Sequence, residues 1–353
     1  MMRDTVLGTA LCIGLAVTPA LTATMPSTAA AADVKWDMQS TYPSSLPQLG
    51  ALGKRVAEQI GTITGGTIEV KFQEPGAIVP SLETFDAVSS GAVQAAWSSP
   101  GFWTGKDVGF AMFASVPFGP AAPEYLAWMK FGGGEELMRK LYANYNIHSI
   151  PCTMIAPEAA GWFRKEINTV DDLKGLKMRF FGLGARVMEK LGVSTQLLGP
   201  GDIYPALERG AIDATEFSMP AIDLGLGFHN VAKYYYFPGW HQQSTFLDLA
   251  INIDAWNELT DTQKAQIESV CDAAIVYGLA EGETIQFEAL QKLQAEGVEI
   301  KTWSPEILEA MEAGWNEVVA EEKQKSPAFA EAWDSLAAFR ENYGVWRDIA
   351  TLR

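Results

Sequence analysis

The stretch LKMRFFGLGARVMEKL, residues 176–191, predicts the fold class of this chain. Apolar and basic residues alternate from Leu176 to Phe180, as is typical of a β-strand, and apolar residues at helical spacing follow a glycine turn, which predicts a helix over 183–191. A strand that leads through a glycine turn into a helix is the repeating unit of α/β proteins. We therefore predict an α/β fold with helices packed on the faces of open, mostly parallel sheets.

The same alternation recurs on both sides of this stretch and restarts near Gly161, which indicates two α/β units. In the first unit we predict strands over 34–40, 67–73, 92–98 and 148–155, and helices over 46–60, 82–88 and 123–145. Ser44 and Ser45 are possible caps of the first helix. In the second unit we predict strands over 161–164, 176–181, 195–198, 212–216 and 233–237, and a further helix over 202–209. A strand over 245–253 then returns to the first unit.

The last third of the chain is predicted to be helical. Thr260 caps a run of about 35 residues that ends at Ala295, and Ser304 and Ser326, each followed by proline, begin two more helices. A helix of that length spans roughly 50 Å at 1.5 Å per residue, which exceeds one unit. We expect it either to be kinked near Gly278 or Gly282 or to run along both units.

The amino-terminal segment has the pattern of an export signal. Arg3 precedes an apolar run from Leu7 to Leu21, and residues 29–32 are all alanine, which predicts cleavage near Ala32 and a periplasmic protein. The formal net charge of −17 argues against nucleic-acid binding, which needs a basic surface. Cys152 and Cys271 remain after cleavage, and both a disulfide and two buried thiols are compatible with the sequence.

The sequence offers little support for catalysis. It has three histidines and no G-x-S-x-G, H-E-x-x-H, C-x-x-C or EF-hand pattern, which disfavours a hydrolase, a zinc site and a standard calcium loop. The Gly182-Leu183-Gly184 turn lacks the third glycine of a dinucleotide-binding motif, although its free N–H groups suit an anion. We predict that the protein is not an enzyme and uses no organic cofactor.

Arg179 and Glu216 are the first candidates for a binding site. Arg179 lies on the strand before the glycine turn, where its planar pair of donors matches a carboxylate, but the alternation is equally compatible with a solvated surface arginine. Glu216 ends a strand at the sheet edge where open α/β sheets bind ligands, and it is either a ligand group or a helix cap.

Aromatic side chains give weaker candidates. Phe102 and Trp103 lie in a loop after a strand, and such loops line clefts. Trp240 and the run 234–236 of three tyrosines are compatible both with core packing and with stacking on a ligand.

Five segments of the chain resemble the substrate-binding subunits of tripartite ATP-independent periplasmic (TRAP) transporters, and within them the 2-oxo-acid and hydroxy-acid binding branch. These segments are EPGAIVPSLETFDAVSSGAVQAAW (74–97), GWFRKEI (161–167), DLKGLKMRFFGLGARVMEKL (172–191), GDIYPALERGAIDATEF (201–217) and KYYYFPGW (233–240). The resemblance implies a periplasmic-binding-protein fold, in which two α/β lobes joined by crossing strands and a long spine helix close over a solute. It also implies membrane permease subunits as partners.

This resemblance divides the chain into an export signal over 1–32, a first lobe over 33–156 and 246–300, and a second lobe over 157–245 and 301–325. Residues 326–353 form a carboxyl-terminal helix, which the branch uses for dimers. Trp333, Leu336, Phe339, Tyr343 and Trp346 recur there at spacings of three and four. This apolar surface either forms a homodimer or packs on its own chain.

The resemblance also implies the site residues. The family arginine that holds the solute carboxylate falls on Arg179. In the 2-oxo-acid branch a cation is held by the glutamate that falls on Glu216, by the main-chain carbonyl of the next residue, here Phe217, and by a glutamine whose position is Glu158 here. Gln242 is a further oxygen donor.

The substitution at Glu158 bears on the identity of the cation. Arg179, a monocarboxylate, the two glutamates and a divalent cation together make a neutral site, whereas a monovalent cation leaves one negative charge in a dry cleft. This count favours calcium and keeps sodium as an alternative. Glu158 could also be turned away or protonated, or the protein could use no metal.

We therefore predict a periplasmic binding protein that captures a small monocarboxylate, a 2-oxo or 2-hydroxy acid, with Arg179, Glu158, Phe102, Glu216 and Trp240 as solute contacts. The alternatives are a binding protein for an aromatic or longer-chain carboxylate without metal, a lyase that uses Glu216 as base, and a sensory protein.

Overall fold

A computed structural model describes residue 1, residues 33–155 and residues 157–350. The predicted export signal lies almost wholly outside these residues. The strands are β1 (Val34–Ser40), β2 (Ile68–Gln73), β3 (Ala95–Ser98), β4 (Ile147–Ile155), β5 (Gly161–Phe163), β6 (Lys177–Arg179), β7 (Ser194–Gln196), β8 (Ala214–Thr215), β9 (Tyr234–Phe237), β10 (Thr245–Asn252) and β11 (Glu299–Thr302). The helices are α1 (Gly50–Ile63), α2 (Thr84–Ser89), α3 (Ala122–Phe131), α4 (Gly134–Ala143), α5 (Gly184–Lys190), α6 (Pro200–Glu208), α7 (Pro220–Leu226), α8 (Ile253–Asn257), α9 (Asp261–Ala295), α10 (Pro305–Lys325) and α11 (Pro327–Ala350).

The strands form two sheets, which confirms the predicted pair of α/β units. The first has the order β2-β1-β3-β10-β4, with β1 parallel to β2 and β3, and β10 antiparallel to β3 and β4. The second has the order β11-β9-β5-β8-β6-β7, with β6 parallel to β7 and β8, and β5 antiparallel to β8 and β9. We call these sheets, with their helices, the first and second lobes.

Two segments connect the sheets of the two lobes next to the strand ends of β4, β5, β9 and β10. One joins β4 of the first sheet to β5 of the second, and the other, residues 238–244, joins β9 of the second sheet to β10 of the first. The predicted lobe boundary at residue 300 falls inside β11, which pairs along its whole length with β9. This strand therefore belongs entirely to the second sheet.

The long helix α9 runs along both lobes, which confirms the second of the two expectations for it. It is a single helix of 35 residues that begins at a capping box, in which Thr260 and Gln263 satisfy each other's free backbone N–H groups. It packs on β4 and α1 of the first lobe and on α7 of the second. A disulfide joins Cys271 of this helix to Cys152 of β4, which resolves the choice between paired and free thiols.

Two helix predictions in the first lobe were wrong. The first helix begins at Gly50 instead of residue 46, and Ser44 does not cap it, because its backbone N–H and hydroxyl both bind the Glu74 carboxylate. The helix predicted over 123–145 is two helices, since Gly133 adopts φ +88°, a left-handed conformation that ends regular helix.

The carboxyl-terminal helix α11 packs partly on its own chain and leaves part of its apolar surface exposed. Phe329 and Leu336 are buried against α10 and the first lobe, whereas Val345, Trp346 and Ile349 near the end of the helix are exposed. A homodimer through this end stays a prediction. Within the part of the chain that the structure describes, we find no helix with the length and hydropathy needed to cross a bilayer.

Candidate functional site

Arg179 ends β6 and is buried, with only 1% of its surface exposed. The surface alternative for this residue was therefore wrong. Its Nη1 donates hydrogen bonds to the main-chain carbonyl of Glu216 at 2.7 Å and to Glu216 Oε2 at 3.0 Å, while its Nε donates to the Leu198 carbonyl at 3.3 Å. These bonds hold the guanidinium plane in one orientation.

Glu216 follows β8, the neighbour of β6, and is completely buried. Besides Arg179, the backbone N–H of Phe181 donates to its Oε2 at 2.9 Å, so the carboxylate bridges two adjacent strand ends and does not cap a helix. Burial opposes its ionisation, but the Arg179 charge and these hydrogen bonds prevail and lower the pKa of Glu216 below its ordinary value. Glu216 is therefore ionised in the folded protein at neutral pH.

Glu158 lies in the segment that leads into β5 and is also buried, so it is not turned away to solvent. His241 Nε2 lies 3.0 Å from Glu158 Oε1 and 3.7 Å from Glu216 Oε1. Burial raises the pKa of Glu158 to about 8. Burial by itself would lower the pKa of His241, but the two carboxylates outweigh it and raise that pKa to about 9.

His241 was missed as a site residue, because the sequence shows only an isolated histidine beside Trp240 and Gln242. The one available signal was its place in the segment that joins β9 to β10, where a residue is brought close to both lobes. Its presence also alters the charge count, since a protonated imidazole adds one positive charge. With that charge the same count gives a neutral site for a monovalent ion and one positive charge for a divalent ion, so it no longer favours calcium over sodium and instead favours sodium.

The acidic groups also fit a metal ion. Among the described residues, Glu158, Glu216 and His241 form a group whose ligand atoms lie within 4.8 Å of one another. One oxygen of each carboxylate, Glu158 Oε2 and Glu216 Oε1, is buried without a hydrogen-bond partner. Buried carboxylate oxygens without a donor are costly unless a cation meets them, so this donor set suits an oxygen-preferring ion.

Glu158 and Arg179 border a cavity between the lobes, whereas Glu216 and His241 contact these two residues without lining the cavity themselves. The cavity is small: a volume of about 30 Å³ is open to the centres of water molecules, which suits a small solute. The cavity is lined by Tyr42, Leu49, Ser99, Phe102, Ile155, Glu158, Arg179, Phe181, Phe217, Ser218, Gln242, Thr245 and Leu247. Of the residues predicted from the sequence, Arg179, Glu158, Phe102, Phe217 and Gln242 thus meet at one place.

The lobes approach each other closely beside this cavity. The rings of Phe102 in the first lobe and Phe181 in the second pack edge to face with centroids 4.8 Å apart. A Cβ atom added to Gly101 would lie 2.3 Å from the Phe181 ring, so only glycine permits this approach. The structure is therefore that of a closed cleft.

Other sequence candidates lie elsewhere. Trp240 is not among the residues that line the cavity and packs instead on Phe118 and Phe180. Two of the three tyrosines of 234–236, Tyr235 and Tyr236, are buried in the second lobe, as the packing alternative expects. The Gly182-Leu183-Gly184 turn borders a different cavity from Arg179, so the two positive features are not brought to one site.

Comparisons with known proteins give a consistent result. Residues 38–325 match the family model for bacterial extracellular solute-binding protein, family 7, also called DctP. The chain is 36% identical over 357 residues to the monocarboxylate 2-oxoacid-binding periplasmic protein of Nostoc sp. strain PCC 7120, with coverage of 100% of this chain and 97% of that protein.

Three solved structures of TRAP solute-binding proteins are also similar. One from Bordetella bronchiseptica RB50, a dimer of mixed occupancy with calcium and picolinate, is 34% identical with a TM-score of 0.88 over 91% of this chain and 95% of that one. One from Pseudoalteromonas atlantica T6c, with sodium and pyruvate, is 34% identical, and one from Colwellia psychrerythraea, with calcium and pyruvate, is 33% identical. Both of these have a TM-score of 0.86 and cover 90% of this chain and 97% of their own.

The match spans nearly all of the described residues, and the two-lobed fold is the one that the resemblance implied. The chain therefore belongs to bacterial extracellular solute-binding protein family 7, as a solute-binding protein of a TRAP transporter that acts outside the cytoplasm and is not an enzyme.

Proposed function

We propose that this protein captures a small monocarboxylate, a 2-oxo or 2-hydroxy acid, in the periplasm and delivers it to the membrane permease of a TRAP transporter. The observation that carries the proposal is the Arg179 guanidinium, which lines a small closed cavity between the lobes and is held in place by Glu216. The Nostoc relative, described as a binding protein for monocarboxylate 2-oxoacids, supports the same class of solute.

In this proposal Arg179 is the carboxylate clamp. Glu216 and Leu198 fix its plane before the solute arrives, so little orientational freedom is lost on binding. A hydrogen bond between two charged groups in a water-poor cavity is about twice as strong as a neutral one. Closure of the cleft thus strengthens the contact with the acid group and disfavours release.

We also propose that Glu158, Glu216, the main-chain carbonyl of Phe217 and the side chain of Gln242 hold a cation beside the solute. The ion would supply positive charge for the solute oxygens and for the two carboxylates. Calcium and sodium are both candidates, since the two pyruvate-bound relatives contain one or the other.

The lining favours a short acid over a long one. Leu49, Ile155 and Leu247 close the cavity on the side of the first lobe, and the space between them and Arg179 is small. An aromatic acid is the second candidate, because Tyr42, Phe102, Phe181 and Phe217 offer ring faces and edges, and the Bordetella relative binds picolinate. We further propose that residues 1–32 direct export and are cleaved.

Isothermal titration calorimetry with a panel of acids tests the proposal. The panel contains pyruvate, lactate, 2-oxobutyrate, a longer 2-oxo acid and picolinate, each with calcium, with sodium and after chelation. We expect the 2-oxo acids of three or four carbons to bind most tightly. Preferential binding of picolinate would instead select the aromatic alternative, and no binding of any monocarboxylate would reject the proposal.

The Arg179→Lys variant tests the clamp. Lysine keeps a positive charge beside Glu216 but lacks the planar pair of donors, so we expect a folded protein whose affinity is lower by about 100-fold or more. Arg186→Lys is the matched control, because Arg186 is half exposed and pairs at the surface with Glu189 and Glu322. Wild-type affinity in the Arg179→Lys variant would remove the clamp assignment.

A further inference from the structure

We propose that Arg340 of α11 is a positioning residue for the solute site. It holds the turn 116–119 of the first lobe, and that turn holds the crossing segment 238–244, which brings His241 and Gln242 to the site. For its effect on affinity, this inference rests on the proposed function.

The crossing segment is held on the second lobe by the Gly239 backbone N–H, which donates to the Glu158 carbonyl at 2.9 Å, and by the packing of Trp240 on Phe180. It contains no helix or strand, and its two ends belong to different sheets. Its main-chain carbonyl at Trp240 accepts a hydrogen bond of 2.8 Å from the backbone N–H of Phe118, and the Ser244 hydroxyl donates to the Pro120 carbonyl at 3.0 Å. The Phe118 ring also packs on Trp240, with centroids 5.7 Å apart. The segment is thus anchored on the first lobe largely through residues 118–120.

The turn that supplies this anchor has a strained backbone. The Gly119 N–H donates to the Val116 carbonyl at 2.9 Å, which places Phe118 at the third position of the turn with φ +51°. That left-handed conformation is unfavourable for a residue with a bulky side chain, and it persists only where surrounding contacts impose it.

Arg340 supplies the outer contact. Its Nη1 donates to the Phe118 carbonyl at 3.0 Å, and its Nε donates to Glu124 Oε1 at 3.3 Å. Glu124 is 5% exposed, so the arginine is fixed at a buried carboxylate on one side and at the turn on the other. The carbonyl of Phe118 is therefore bound to α11 while its N–H is bound to the crossing segment.

Removal of Arg340 leaves the strained turn without its outer support. We expect the turn to relax, the hydrogen bond from Phe118 to Trp240 to weaken, and the two adjacent site residues, His241 and Gln242, to lose their fixed positions. A residue that only fastened α11 to the first lobe would lower the stability of the helix without this effect on the site.

The test compares Arg340→Gln and Arg340→Lys with a matched control, Lys140→Gln. Lys140 also joins the first lobe to α11, through an ion pair of 2.7 Å with Glu331, but the side chains of both residues are largely exposed and the ion pair includes no residue of the turn 116–119. Two quantities are measured: hydrogen exchange of the peptide that covers 238–244 in the solute-free protein, and calorimetric affinity for the tightest-binding acid of the panel.

We expect Arg340→Gln to accelerate exchange over 238–244 and to weaken binding by about five- to fiftyfold, a usual range for coupled sites. Arg340→Lys, which keeps the charge beside Glu124, should restore part of both. Lys140→Gln should change neither. Exchange equal to that of the wild type in Arg340→Gln, or an equal loss of affinity in the control, would overturn the inference. Because the exchange measurement uses no solute, it decides the matter even if the proposed function fails.

Discussion

The ion pair of Arg179 and Glu216 is almost completely removed from water, with 1% and 0% of the two side chains exposed. Taking two charges out of water costs several kcal/mol per ion, which the mutual attraction of a buried pair often does no more than repay. The pair is therefore better understood as a fixed receptor for a third charged group than as a source of stability.

Glu158 allows a test of the cation at the level of one residue. Glu158→Gln removes a negative charge and installs the residue that the resemblance implies for this position. We expect the variant to bind the acid, with its affinity for calcium relative to sodium lowered by roughly tenfold, because a divalent ion gains more from the second carboxylate than a monovalent one. Calorimetry on chelated protein, titrated with each ion, measures the preference.

Glu166→Gln serves as control, since Glu166 is paired with Lys301 at the surface of the second lobe. If Glu158→Gln kept the same dependence on calcium as the wild type, Glu158 would not be a ligand of the ion.

Asp248 provides a second test, away from the site. This carboxyl group is buried in β10, accepts a hydrogen bond of 2.7 Å from the Ser149 hydroxyl, and has its pKa raised to about 6 by burial. Between pH 4 and 6 the folded protein therefore keeps a proton that the unfolded chain has released, so its free energy of unfolding falls as the pH rises. At neutral pH the ionised group costs about 3 kcal/mol.

Asp248→Asn should remove this cost while keeping an acceptor for Ser149. We expect urea unfolding to show that the stability of the variant relative to wild type increases from pH 4 to pH 6 and is then constant. Parallel stability curves for the two proteins over that range would contradict the assignment of the pKa.

At the scale of single residues, the sequence predicted the chemistry of the site better than its geometry. Strand alternation around Arg179 indicated which way the side chain points, but not whether the second face of the strand is covered. That depends on the other lobe, which is distant along the chain. The role of His241 was missed for the same reason, since Glu158 and Glu216, which it contacts, precede it in the sequence by 83 and 25 positions.

Among the secondary-structure elements, α9 is the one that both lobes share. Gly278 and Gly282 lie at its closest approaches: a Cβ atom on Gly278 would be 2.2 Å from Thr153 Oγ1, and one on Gly282 would be 2.9 Å from Gln48 Oε1. The two glycines thus permit close packing of a helix on the first lobe. This close packing accounts for the two glycines without the kink that was the alternative expectation for the helix.

The disulfide between Cys152 and Cys271 joins positions 119 residues apart. Closing so long a loop in the unfolded chain lowers its entropy by the equivalent of up to about 5 kcal/mol at 25 °C, in the chain-entropy model. We expect the Cys152→Ala, Cys271→Ala double variant to unfold with a free energy lower by about 2–5 kcal/mol and to bind its acid as the wild type does. Urea unfolding and calorimetry measure the two quantities.

Unchanged stability in this double variant would show that the bond is absent from the protein in solution. A loss of affinity without loss of stability would show that the bond acts on the site, through the end of β4, where Ile155 lines the cavity.

Elements with local signals were predicted well, and elements that depend on distant contacts were not. The cap at Thr260 and the Ser-Pro pairs before α10 and α11 fixed their helix starts, because the capping groups are neighbours in sequence. The start of α1 at Gly50 has no such signal. A Cβ atom there would lie 2.0 Å from the Pro43 carbonyl oxygen, so the close approach of the preceding loop decides where the helix begins.

For the molecule as a whole, capture of a solute should appear as added stability. A ligand at 100 times its Kd stabilises the folded state by about 2.7 kcal/mol, which corresponds to a rise in Tm of roughly 4 °C for a protein of this size. We expect this rise with a bound 2-oxo acid and cation in the wild type, measured by thermal denaturation. The same rise in Arg179→Lys would show that the acid binds elsewhere.

The disulfide also makes the two lobes differ in how firmly they are attached to α9. With Cys271 bonded to β4, the first ten residues of α9 and the first sheet form one covalently fastened body, whereas α7 of the second lobe meets the same helix further along without any such bond. We therefore expect that, when the cleft opens, the second lobe moves relative to the first lobe and to the start of α9. The accompanying change in the backbone of α9 should lie beyond residue 271. Spectroscopic distance probes placed on β4 and the start of α9 should report no motion, and probes on the second lobe should report all of it.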